Sequence, residues 1–179
     1  MSEAVLAPGA GRPVAAHAYN RFCALLSKAS LMLAVAGLLA IVLCVQVQVV
    51  GRYVLNDTPT WAEALSMLLV LYVTALGLAV GVRDAGHIGL ESLVALLPVA
   101  WRLRLEVLIH AFVALFGAIM VWSGWMWTTL KWNDMKPMLH VPVGMDYLAL
   151  TIAGVLIVLF SIEHVVALLR GEDIEPAWN

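Results

Sequence analysis

The sequence predicts an all-α integral membrane protein: four transmembrane helices, with a short interfacial amphipathic helix between the second and the third. Hydrophobic residues make up 63% of the 179-residue chain, charged residues 12%, and mean hydropathy is +0.96. Too little polar surface is left to coat a water-soluble globule. Four runs, about 29–50, 63–82, 107–130 and 144–169, each reach the roughly 20 apolar residues that a helix needs to cross the hydrocarbon core. Between the second and third runs, Leu90, Leu93, Val94 and Leu97 recur at i, i+3, i+4 and i+7, while Glu91 and Ser92 fall off that stripe. That is the pattern of a helix lying in the interface over about 88–97, against lipid or against a partner subunit.

Taken in order, residues 1–28 read as an N-terminal tail. The first span, about 29–50, is too long for the apolar core of a removable leader, and it ends in QVQVVGRY without a small-residue cleavage site; it is expected to stay in the mature protein. A short Asn-Asp-Thr-Pro turn leads to the second span, about 63–82. Pro98 should break the interfacial helix and is well tolerated in the first turn of a new one, so the third span is placed at about 99–130. At that length it must tilt or project beyond the bilayer. The fourth span, about 144–169, closes a four-helix transmembrane domain over 29–170, and 171–179 form a C-terminal tail. Alanines and glycines four apart, at Ala36/Ala40, Gly77/Gly81 and Ala114/Ala118, permit close helix approach.

Basic residues orient the chain. The tails and the second loop hold Arg12, Arg21, Lys28, Arg83, Arg102, Arg104 and Arg170, against Arg52, Lys131 and Lys136 in the other two loops. The positive-inside rule puts both termini in the cytoplasm. Aromatic residues fall at the span edges: Tyr53, Trp61, Trp125, Trp127, Trp132 and Tyr147 outside, Tyr19, Phe22 and Trp101 inside. They read as interfacial anchors. Trp122, Trp125 and Trp132 also share helical spacing, so a binding site built from them is the competing reading.

Chemistry is sparse. The span centres carry no ionisable group, whereas pumps place such groups where lipid makes them costly. Gln46 and Gln48 lie near the outer end of the first span, and one of them is expected to bond a neighbouring helix. His110 and His164 could sit at similar depth on adjacent helices, which raises bis-His haem ligation and, with it, a haem-bearing membrane anchor of a redox complex as the alternative function. Hydrogen-bonded histidines explain the pair without a cofactor, and no cofactor is expected. Glu163 could handle protons, but it lies within about two turns of the span end, where it can snorkel or pair. Cys23 and Cys44 sit at different depths and read as free thiols. No nucleophile elbow, phosphate loop, paired-cysteine motif or HExxH is present, so the chain is not expected to be an enzyme. Its scattered basic residues exclude a nucleic-acid partner.

Polar residues gather instead at the two ends of the second span, in GRYVLNDTPTWAEAL and VRDAGHIGLES. Arg52 and Glu63 bracket the turn and are placed to pair across it. Glu63 suits the helix N-terminus, with Thr60 or Asp57 as caps, and Arg83 suits the C-terminus. Gly86 permits a left-handed stop, and His87 and Glu91 open the interfacial helix. This order, Arg-Tyr, a Pro-containing turn, Trp61, Glu63, an apolar span, Arg83, Gly-His-Ile and an acid three residues on, resembles the small membrane subunit (DctQ-like small permease component) of TRAP, tripartite ATP-independent periplasmic, transporters.

The resemblance is carried by about residues 46–93, with length and span number fitting the rest. It implies a place in a bacterial inner membrane, among lipid, beside a large membrane subunit that holds the substrate and sodium sites and is fed by a periplasmic substrate-binding protein. Organic acids are the usual substrates, and the small subunit braces the large one. Arg52, Trp61, Glu63, Arg83, His87 and Glu91 match the pattern and are the expected structural or partner-interface residues. Ala64, Met67 and Gly89 depart from it, where a second acid, a basic residue and a different spacing are common.

Overall fold

The computed structural model describes residues 14–84 and 99–170 and is all-helical there, apart from one isolated antiparallel bridge between Met135 and Pro142. Its helices are α1 (Val14–Tyr53), α2 (Thr60–Asp84), α3 (Val99–Leu130) and α4 (Gly144–Arg170), each long and apolar enough to cross a membrane. The interfacial helix expected over 88–97 lies outside the described residues. α1 is longer than its apolar run: its 40 residues rise about 60 Å, twice the hydrocarbon thickness. Residues 14–28, read above as tail, are helical because AAHAYNRFCALLSKAS is rich in good helix formers, a signal that a search for apolar runs passes over.

Two antiparallel hairpins, α1–α2 and α3–α4, make the most extensive packing, and α2 lies parallel to α4 between them. The order across the bundle is therefore α1, α2, α4, α3, with α4 innermost and also touching α1. Phe160, Ile157, Ala153 and Ala149 of α4 form the core with Ala75 and Ala79 of α2, Met120 of α3 and Cys23 of α1. Large apolar side chains cover the outside, such as Leu33, Leu39 and Leu43 on α1 and Phe112, Phe116 and Ile119 on α3. This inverts a soluble fold and suits a hydrocarbon solvent.

Close helix approach occurs at other small residues than the spaced pairs suggested. An added Cβ on Gly154 would sit 2.7 Å from the Gly117 carbonyl oxygen, one on Gly124 2.9 Å from the Thr151 nitrogen, and one on Gly37 2.6 Å from Val73. Gly77 and Gly81 meet nothing within 4 Å, and Ala36 and Ala118 are exposed. A four-residue spacing marks a face but does not say what that face meets.

The connections are built tightly. Asn56 turns the α1–α2 link with a φ of 53°, and the Asp57 N–H donates to the Gly51 carbonyl at 3.0 Å. Gly51 is obligatory there, since a Cβ would lie 2.8 Å from the Asp57 carbonyl oxygen. Neither Asp57 nor Thr60 caps α2 through its side chain; the Pro59 carbonyl accepts the Ala62 N–H at 3.0 Å instead. The α3–α4 loop doubles back as a small hairpin, with Lys136 N–H to Val141 O at 2.9 Å and His140 at φ 52°.

Candidate functional site

α2 ends in Arg83 and Asp84, and this is where the helices are bound together. Because α2 and α4 run parallel, the last turn of α2 meets Glu163, two turns before the end of α4. Arg83 donates from Nε to Glu163 Oε2 at 2.9 Å and from Nη2 to Glu163 Oε1 at 3.1 Å, a two-pronged grip. Its Nη1 donates to Asp84 Oδ1 at 2.6 Å, and Asp84 Oδ2 accepts from the Ser27 hydroxyl of α1 at 2.9 Å. All three charged side chains are closed off, with 2% or less of their surface exposed.

The surrounding groups extend the tie. His164 Nε2 lies 2.9 Å from the Arg83 backbone carbonyl. A carbonyl only accepts, so this ring nitrogen carries the proton and satisfies one of the carbonyls left over at the end of α2. The His164 ring stacks on His110 of α3, with centroids 4.4 Å apart and planes 8° from parallel. Tyr19 of α1 donates to the Leu159 carbonyl of α4 at 2.9 Å, and Cys23, a free thiol like Cys44, is fully buried beside it. All four helices thus converge on one end of the bundle. Toward the opposite end Tyr72 donates to the Met145 carbonyl at 2.9 Å, a second link from α2 to α4.

The cluster sets one guanidinium against two carboxylates, so removing Arg83 would strand both acids in a medium that cannot solvate them. Among the described residues no group of histidine, cysteine and carboxylate side chains could hold a metal ion.

The family model for "Tripartite ATP-independent periplasmic transporters, DctQ component" matches residues 39–171, which include every described element of this cluster except Ser27, Tyr19 and Cys23. The chain belongs to that family. It is 24% identical over 151 residues to a "Putative TRAP transporter small permease protein" of Haemophilus influenzae, covering 82% of this chain and 94% of the relative. It is 32% identical over 75 residues to the "Sialic acid TRAP transporter small permease protein SiaQ" of Vibrio cholerae, covering 41% of this chain and 43% of that one. A DctQ component is a transporter membrane subunit, not an enzyme.

The six residues expected from the DctQ pattern divide by position. Arg83 is in the buried cluster. Arg52, Trp61 and Glu63 share the other end of the α1–α2 hairpin but are not brought together. Arg52 and Glu63 form no ion pair; both are exposed, and the Arg52 guanidinium lies 5.8 Å from the Tyr53 ring centre instead. The turn is held by backbone hydrogen bonds and Gly51, so it does not need that pair. Glu63 does sit in the first turn of α2, where the helix dipole favours it. His87 and Glu91 lie outside the described residues.

Other expectations also change. Among the described residues neither Gln46 nor Gln48 bonds a neighbouring helix; Gln46 lines an open groove with Val47, Val50 and Asp57. The His110–His164 pair does not fit a haem, because axial ligation needs two ring nitrogens aimed at one iron from opposite sides. These rings lie face to face, and His164 Nε2 is spent on a backbone carbonyl. Glu163 pairs rather than snorkels, and Asp84, Ser27 and Tyr19 join the tie without any sequence pattern that marks them. The missing signal was depth: Arg83 and Glu163 each lie near the end of a span that finishes on the same side, with opposite charge.

Proposed function

We propose that this chain is the small membrane subunit that braces the large, sodium-coupled membrane subunit of a TRAP transporter, for uptake of an organic acid delivered by a periplasmic binding protein. It lies in a bacterial inner membrane with both termini in the cytoplasm, as the distribution of Lys and Arg favours. The observation that carries the reading is the closed Arg83–Glu163–Asp84–Ser27 tie. Transport by moving a binding element against a fixed frame needs a frame that resists tilting. Helices pinned to each other by buried charge supply one. The relative named for sialic acid supports an organic acid as the substrate class.

Arg52, Trp61 and Glu63 are exposed at the opposite end and unpaired to each other, so they are suited to contact a neighbouring subunit or the interface. On the sequence reading, His87 and Glu91 are assigned the corner that follows α2. The test is reconstitution. Proteoliposomes with the large subunit, the binding protein and this chain should take up the acid down a sodium gradient, omission of this chain should abolish uptake, and this chain alone should move nothing. Uphill transport by the lone chain would overturn the proposal. If His87→Ala with Glu91→Ala leaves assembly and uptake unchanged, the corner role is wrong.

A further inference from the structure

The first part of α1 has two faces of opposite character. Cys23, Ser27, Ser30 and Ala34 are buried against the bundle, while Arg21, Phe22, Leu25, Lys28 and Met32 are exposed. Arg21, Leu25, Lys28 and Met32 follow one another at steps of four, three and four residues, so they form one stripe on the side of the helix away from the buried face. Along it two cations alternate with apolar side chains, the cations two helical turns or about 10 Å apart.

Neither cation is neutralised from within. Ion pairs among the described residues join Arg83, Lys131 and Lys136 to their acids, and Arg21 and Lys28 have none. Asp84 and Glu163, the acids that α1 passes here, are closed off around Arg83, and Ser27 donates inward to the remaining Asp84 oxygen. The outward stripe therefore carries positive charge alone. Its depth follows from the same contact: Ser27 meets the last residue of α2, and Lys28 stands immediately before the apolar run that begins at 29, so the stripe lies where a span ends. At that level the hydrocarbon stems of Arg and Lys lie on acyl chains while their heads reach the phosphates.

We propose that this stripe of α1 is a binding surface for anionic phospholipid. Arg21 and Lys28 donate to headgroup phosphate oxygens, and acyl chains run past Leu25 and Met32. Charge complementarity selects the headgroup: two unpaired cations on an apolar ground attract a lipid of net negative charge, whereas a zwitterionic lipid brings an ammonium that they repel. The surface rests on membrane embedding, not on the bracing role, so the two fail separately.

The test is native mass spectrometry of the full chain in mild detergent, titrated with phosphatidylglycerol or with phosphatidylethanolamine of matched chains. The glycerol lipid should be retained more tightly. Arg21→Gln and Lys28→Gln, both at exposed positions, should each weaken its retention about fivefold, and the double change should erase the preference. Arg21→Lys and Lys28→Arg keep the charges and should keep the preference. Glycerophosphoglycerol, which lacks chains, should not compete. Equal retention of both lipids, an unchanged preference in the double Gln variant, its loss in the charge-keeping variants, or full competition by the chainless headgroup would overturn the assignment. So would a photo-cross-link from position 25, in native membranes, to a partner protein in place of lipid.

Discussion

Replacing Glu163 with Leu removes the carboxylate that receives two guanidinium hydrogen bonds, at 2.9 and 3.1 Å, in a pocket closed to solvent. Arg83 keeps Asp84 but loses the fork that holds α2 to α4. Deleting one partner of a buried pair costs about 3–5 kcal/mol when the survivor is left unpaired; Asp84 still pairs with Arg83 here, which places the loss at the lower end, about 3 kcal/mol. For a chain of this size each kcal/mol is worth roughly 2–4 °C of melting temperature, so Glu163→Leu should melt about 6–12 °C below the wild type. Arg83→Met should be worse, since it leaves two buried carboxylates without a cation. Arg83→Lys keeps the charge but not the fork and should fall between. The double variant Arg83→Met/Glu163→Leu should lose less than the two single losses together, by about 2–3 kcal/mol. Differential scanning fluorimetry of the purified chain reads all four. A Glu163→Leu melt within about 2 °C of wild type, or strictly additive losses, would refute the view that this pair holds the bundle.

The glycines offer a matched contrast. Gly154→Ala presses a methyl against the Gly117 carbonyl oxygen and the Val121 nitrogen, backbone atoms that cannot swing away, and should cost about 1–3 kcal/mol by the same melts. Gly77→Ala meets nothing within 4 Å and should be neutral or stabilise the purified chain by up to about 1 kcal/mol of helix propensity. Cys23, fully buried at the α1–α4 contact, should resist maleimide until the chain unfolds, and in Glu163→Leu it should label at a lower detergent or temperature threshold.

How much of this was readable from the residues follows from which physics each feature obeys. The four spans are local: a helix that crosses lipid must satisfy its own backbone and show an apolar run of fixed length, so composition reveals it. Arg83 was likewise legible as a charge at a span end. Its partner was not, because the order α1, α2, α4, α3 is set by side-chain fit between distant helices. Once α4 rather than α3 lies beside α2, Glu163 is the acid at the right depth. The same ignorance of neighbours made Gly77 and Gly81 look like packing residues and left Gly117, Gly124 and Gly154 unremarked. It also allowed His110 and His164 to be imagined facing a shared iron, when their depth match produces a stacked pair. At the first loop, Arg52 and Glu63 had suitable charge and spacing, but backbone geometry around Gly51 had already fixed the turn.

Eighty residues separate Arg83 from Glu163 along the chain. During synthesis the second helix therefore leaves the translocon with its guanidinium lacking that carboxylate, and only the final segment to emerge supplies it. A chain cut short before residue 163 would keep only Asp84 against Arg83 and would lack the grip that closes the second helix onto the last.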